Sequence, residues 1–210
     1  MGGYAIVLSV VVLTTFGVTP ILARIAYKVN AIAYPTARSV HTKPMPLIGG
    51  IAMIFGLMAG LLTAMSLDQF DNMFKSSTEP LALILAAGVI TFVGFIDDIR
   101  EVSPPAKVAG QVLAGSIMSL LGLTMLYFRV PFASFDYIVL SKDIAPIFTI
   151  VAVVILANAI NLIDGLNGLA AGICVIAGSA LFLYSDRLFK AGLLEGSNLG
   201  PLIAIITVGL

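Results

Sequence analysis

Long apolar runs broken by short polar clusters organise this chain. A membrane-spanning helix needs about 20 mostly apolar residues, and candidate runs cover residues 4–23, 47–67, 81–96, 108–128, 144–163, 166–184 and 199–210. The third is short and ends at Asp97-Asp98, the fifth carries asparagines in its last third, and the seventh stops with the chain. A membrane helix cut at mid-depth would leave backbone carbonyls unsatisfied in hydrocarbon. The expectation is an all-α, polytopic transmembrane helix bundle. Residues 1–210 would form a single transmembrane domain of about seven helices with the last one cut, the N-terminal part of a longer protein.

Composition agrees. Hydrophobic residues make up 60% of the chain and charged residues 10%, against roughly 25% charge in a soluble domain. So few charges cannot cover a water-exposed surface, so the bilayer is the expected surrounding medium. Lys+Arg and Asp+Glu balance at 11 each, which argues against nucleic acid as a partner. The lone Cys174 cannot form an intrachain disulfide. The N-terminus lacks the basic region of a signal peptide, and Ile6 stands where a myristoylation motif wants Ser or Thr.

Orientation follows from Lys and Arg in short loops. The first loop carries Arg24, Lys28, Arg38 and Lys43 and no acid, whereas the second sets Lys75 against Asp68, Asp71 and Glu79. Alternate loops total six basic residues on one side and five on the other. The strongly biased first loop therefore decides: it is placed in the cytoplasm and the N-terminus outside. Loops one, three and five then share the cytoplasmic face.

Three polar constellations fall on that face. Asp97-Asp98 ends an apolar helix. Adjacent carboxylates repel, and burying one alone costs several kcal/mol. A hard divalent cation would offset this, since Mg²⁺ favours one or two carboxylates plus substrate phosphates. Two solvated loop acids paired with Arg100 or Lys107 are the plain alternative. In Asn158-Ala-Ile-Asn161-Leu-Ile-Asp164-Gly-Leu-Asn167-Gly, polar groups recur at every third position. They form a slowly winding helical stripe, and polar groups at membrane depth mark function by default. An interhelical hydrogen-bond seam is the alternative. Gly165 and Gly168 would let the chain leave the helix there. In the third cluster Arg38, His41 and Lys43 precede Pro44, Pro46 and Gly49-Gly50, and a simple positive-inside anchor would also explain the cations. A weaker pair, Lys107 and Gln111, lies one helical turn apart, where snorkelling and a packing amide would suffice. Acids for a metal, bases for phosphate and lateral access for a lipid would all converge on one membrane face.

The stretches RSVHTKPMPLIGG, FVGFIDDIREVSPPAKVAGQ and NAINLIDGLNGLAAG resemble the polyprenyl-phosphate N-acetylhexosamine-1-phosphate transferases of glycosyltransferase family 4. That family includes the enzymes that start O-antigen and teichoic acid linkage units and the lipid I translocase. The three stretches come in the family's order. The resemblance implies a Mg²⁺-dependent (alternatively Mn²⁺-dependent) reaction in the bacterial inner membrane. The phosphate of undecaprenyl phosphate would attack on the β-phosphate side of a UDP-N-acetylhexosamine, giving a lipid diphosphate sugar and UMP. It also implies Asp97, Asp98 and Asp164 as catalytic and metal-holding residues. Arg38, His41, Lys43, Lys107, Gln111, Asn158, Asn161 and Asn167 are the substrate-binding candidates. A homodimer is the candidate assembly. Many relatives carry a second acid where this chain has Asn167; asparagine can bind but cannot act as a base. The family's later loops carry a further acid and a histidine-rich segment, so the 210 residues alone are expected to be inactive. Two other readings stand beside this one: an ion-coupled carrier with intramembrane Asn and Asp, and a catalytically dead relative with a scaffolding role.

Overall fold

The computed structural model describes residues 2–35, 44–100, 102–128, 138–164, 168–193 and 199–210. Among them are eight α-helices: α1 Gly2–Val29, α2 Gly49–Met65, α3 Asp71–Ser76, α4 Glu79–Ile99, α5 Pro104–Leu120, α6 Ala145–Ile163, α7 Leu169–Lys190 and α8 Gly200–Gly209. Two short antiparallel ribbons join them, β1 Ile32–Ala33 with β2 Met45–Pro46 and β3 Tyr127–Phe128 with β4 Ile138–Val139. The all-α bundle expected from the apolar runs is what forms.

The helices differ from the apolar runs at their ends. Helix α1 extends to 28 residues, about 42 Å at 1.5 Å per residue. It stops where Asn30 takes a left-handed φ of 58° and the Ala31 N–H reaches back to the Ala26 carbonyl at 3.0 Å, a Schellman closure. The run at 108–128 does not stay helical: α5 starts four residues earlier, behind Pro104-Pro105, and ends at Leu120. Thr78 Oγ1 donates to the freed Leu121 carbonyl at 2.7 Å, and Thr149 Oγ1 accepts from the Met125 N–H at 2.8 Å. Thr78, just before α4, and Thr149 of α6 thus complete the chain's exit from α5.

Among the described residues, α1, α4, α6 and α7 are long and apolar enough to cross a membrane. Helices α2 and α3 form a bent pair at 93° that can count as a fifth span. Helix α8 is a shorter apolar helix, and α5 has 17 residues that include Lys107 and Gln111. The seven runs therefore do not become seven equivalent spans. Large apolar side chains project outward, with Phe16 79%, Leu162 84% and Ile176 72% exposed. Exposed apolar surface of this extent suits a lipid surrounding.

Two packing groups build the bundle. In the first, α1, α2 and α8 share a core of Val7, Val11, Leu57, Leu61, Leu202 and Ile206, closed by Phe70 and Met73. Helix α7 lies against α8, where Gly178 would, with a Cβ, stand 3.0 Å from Val208 Cγ2 and 3.1 Å from the Ala204 carbonyl. The second group is α4, α5 and α6, and α2 joins the groups by packing against α4. Helices α5 and α6 approach closely at Gly115, where an added Cβ would meet the Ile150 Cα at 2.9 Å. Backbone cannot yield as a side-chain tip can. Gly115→Leu is therefore expected to lower stability by about 1–3 kcal/mol, read as a lower unfolding temperature in detergent, while Gly88→Leu, with nothing within 4 Å of its Cβ position, should leave it nearly unchanged.

Candidate active site

The polar residues predicted from sequence lie at the ends of α4 and α6 and the start of α5. Helix α4 does not stop at Ile96. It runs to Ile99, so Asp97 and Asp98 belong to its last turn rather than to a loop. Consecutive helical residues point about 100° apart, so the two carboxylates face different spaces. Asp97 lines a pocket of about 190 Å³ between α4, α5 and α6, together with Lys107, Gln111, Asn158 and Asn161. Asp98 lines a larger cavity of about 540 Å³ between α2, α4 and α6, together with Thr91, Asn161 and Asp164. The rest of the larger cavity is mainly apolar, from Ile51, Leu57, Ile90 and Phe95. Asn161 lines both spaces and stands at their junction.

The acids also differ in their partners. Asp97 Oδ2 pairs with Lys107 Nζ at 2.7 Å, and its Oδ1 accepts from the Val102 N–H at 3.0 Å. That backbone bond was not legible in the sequence, since it depends on how the short link from α4 to α5 turns. Asp98 makes no salt bridge among the described residues. It stands beside the Asp97 charge at the mouth of a mostly apolar cavity. One acid is held and compensated, and the other remains open to a ligand.

Asn158, one helical turn before Asn161, donates from Nδ2 to Gln111 Oε1 at 2.7 Å and to the Val154 carbonyl at 2.7 Å. Lys107 and Gln111 thus share one face of α5, as their spacing predicts, and each holds a polar residue of a neighbouring helix. Asp164 follows the last residue of α6 and is exposed. Helix α6 already ends at Ile163, and Gly168 takes a φ of 77° at the start of α7, a conformation that glycine adopts freely; the expected break in the helix falls within this stretch. Gly165 and Asn167 lie outside the described residues, as do Arg38, His41 and Lys43. The β1–β2 ribbon closes the chain on either side of that basic segment, pairing Ile32 with Pro46 and Ala33 with Met45.

Among the described residues, no three His, Cys, Asp or Glu side chains form a ready-made metal cluster. Asp97, Asp98 and Asp164 are therefore not a closed three-acid cage. The donors around the larger cavity are hard oxygens from Asp98, Asp164 and Asn161. That set fits Mg²⁺, which is commonly held by one or two carboxylates plus substrate phosphates.

Polar side chains at the ends of α4 and α6 and the start of α5 thus stand beside a mainly apolar cavity. The model of glycosyl transferase family 4 matches residues 80–209. That stretch contains the site residues of α4, α5 and α6, and the chain belongs to this family. It is 34% identical over 176 residues to the decaprenyl-phosphate N-acetylglucosaminephosphotransferase of Mycobacterium leprae, covering 84% of this chain and 44% of the relative. It is 37% identical over 169 residues to the probable undecaprenyl-phosphate N-acetylglucosaminyl 1-phosphate transferase of Bacillus subtilis, covering 80% and 44%. The undecaprenyl-phosphate alpha-N-acetylglucosaminyl 1-phosphate transferase of Yersinia pestis is 27% identical over 191 residues, covering 89% and 49%. The chain spans about half the length of the curated relatives it matches. The polar groups sit towards helix ends, whereas carriers place theirs in broken helices of paired repeats, which argues against the carrier reading.

Proposed function

We propose that the protein at its full natural length transfers an N-acetylhexosamine 1-phosphate from a UDP-sugar to a polyprenyl phosphate, undecaprenyl phosphate in a bacterial cytoplasmic membrane. This would be the first lipid-linked step of a cell-surface polymer. The observation that carries the reading is the division of Asp97 and Asp98 between a small pocket that also holds Lys107, Gln111 and Asn158 and a larger, mainly apolar cavity, with Asn161 lining both. A reaction joining a water-soluble sugar nucleotide to a lipid phosphate needs two such spaces side by side. The names of the relatives support the polyprenyl-phosphate acceptor and the N-acetylglucosamine phosphate group; the UDP-sugar donor is part of the proposal.

In this reading the lipid enters along the apolar cavity and brings its phosphate to Asp98. The diphosphate lies towards Asn161 and Asp164. An oxygen of the lipid phosphate forms a bond to the β-phosphorus as the bond from that phosphorus to the bridging oxygen breaks, and UMP departs. Such transfers rest on positioning and on charge stabilisation. Asp98, Asp164 and Asn161 would hold Mg²⁺, which neutralises phosphate charge when bound. Lys107 keeps Asp97 compensated, so that two adjacent carboxylates can stand at one helix end. Arg38, His41 and Lys43 would add positive charge for the diphosphate from the first loop, and Asn167 would contribute an amide. The site faces the cytoplasm, where UDP-sugars are made.

Membranes containing the full-length protein should form a lipid-linked sugar from radiolabelled UDP-N-acetylhexosamine and undecaprenyl phosphate, with UMP released in equal amount. EDTA should abolish the product and added Mg²⁺ should restore it. Absence of product across several UDP-N-acetylhexosamines, beside a working control transferase, would overturn the proposal.

A further inference from the structure

The geometry points to Gln111 as a positioning residue that fixes the orientation of Asn158, with Asn158 rather than Gln111 meeting the polar substrate; this rests on the transferase reading. The hydrogen-bond inventory decides the orientation. The Val154 carbonyl can only accept, so the Asn158 atom 2.7 Å from it is the amide nitrogen. That nitrogen has two hydrogens, and the second goes to Gln111 Oε1 at 2.7 Å. Both donors of Asn158 are thereby engaged. What the side chain can still offer is its carbonyl oxygen, an acceptor, in the pocket that also holds Asp97, Lys107 and Asn161. Gln111 uses its own oxygen in this arrangement, which leaves its Nε2 as the donor beside that acceptor.

Without Gln111, the back-bond to Val154 alone would hold the amide, and a single bond on an exposed asparagine permits rotation. Gln111 comes from α5 and Asn158 from α6, so the bond ties the amide to a second helix. Those helices are already locked together at Gly115, so the Asn158–Gln111 bond is not needed for their packing. Its effect falls on the direction of one acceptor.

The test uses full-length protein in membranes, with Gln111→Met, Gln111→Glu, Asn158→Ala and the Gln111→Met/Asn158→Ala double variant. Methionine keeps the length of the side chain and removes the acceptor; glutamate keeps an acceptor. Gln111→Met should raise KM for the UDP-sugar about tenfold, the worth of one hydrogen bond. It should change kcat less and leave the unfolding temperature unchanged. Gln111→Glu should keep KM nearer the wild type than methionine does. On the Asn158→Ala background Gln111→Met should cost almost nothing more, because its effect passes through Asn158. Equal losses on both backgrounds, or glutamate weaker than methionine, would overturn the inference while leaving the transferase reading intact. A wild type that makes no product would remove both.

Discussion

Asp98→Asn is expected to lower lipid-linked product formation by about 10²–10³-fold, the usual loss when one preorganised charge is removed from a reacting centre. The substitution is nearly isosteric, so packing around the larger cavity is kept. What disappears is the carboxylate left without a salt bridge at the polar mouth of that cavity. The same change should not destabilise the protein. Asp98 stands next to Asp97 on α4, and among the described residues Lys107 pairs with Asp97 rather than with Asp98. Removing one of two repelling charges is expected to raise stability by roughly 1 kcal/mol, a common trade between function and stability. Product assays in membranes, together with thermal unfolding in detergent, check both signs. A variant that loses activity because it unfolds would sink this account. Normal surface-polymer synthesis in an Asp98→Asn strain would favour the scaffolding role instead.

The apolar runs revealed the bundle because a helix surrounded by lipid has little freedom in composition. They misplaced helix ends where the deciding contacts come from other elements. Asp97 and Asp98 look like a stop signal in one dimension, yet α4 continues through them, with Asp97 accepting from the Val102 N–H and the Lys107 ammonium. The polar ends of α5 and α6 were legible as stripes, since spacing by three or four residues fixes a helix face. The different facing of Asp97 and Asp98, about 100° apart, follows from the same geometry once the helix is known to include both. The partner of Gln111 was not legible, because 47 residues separate it from Asn158 and nothing local links α5 to α6. Lys107 was a substrate-binding candidate, with pairing to Asp97-Asp98 as the plain alternative, and in the structure it pairs with Asp97. No sequence spacing could rank those two roles, because the choice depends on where the start of α5 sits against the end of α4.

That last point gives the second large effect. Lys107→Met should lower both activity and stability, in contrast to Asp98→Asn. The Lys107 and Asp97 side chains are 42% and 31% exposed, so the pair stands between the surface case, worth up to about 1 kcal/mol, and the buried one. Removing the cation leaves Asp97 and Asp98 as adjacent, uncompensated carboxylates, with an expected cost of about 1–3 kcal/mol. Transfer should fall by about 10²-fold, because both an ordered acid and a positive charge near the diphosphate are lost. The Asp97→Asn/Lys107→Met double variant separates these causes. If Lys107 serves to compensate Asp97, the second substitution restores the unfolding temperature, since the unpaired charge is gone. Activity should recover only in part, because a neutral pair supplies neither the acid nor the cation. A double variant less stable than Lys107→Met alone would show that the ion pair does not hold this end of the bundle together.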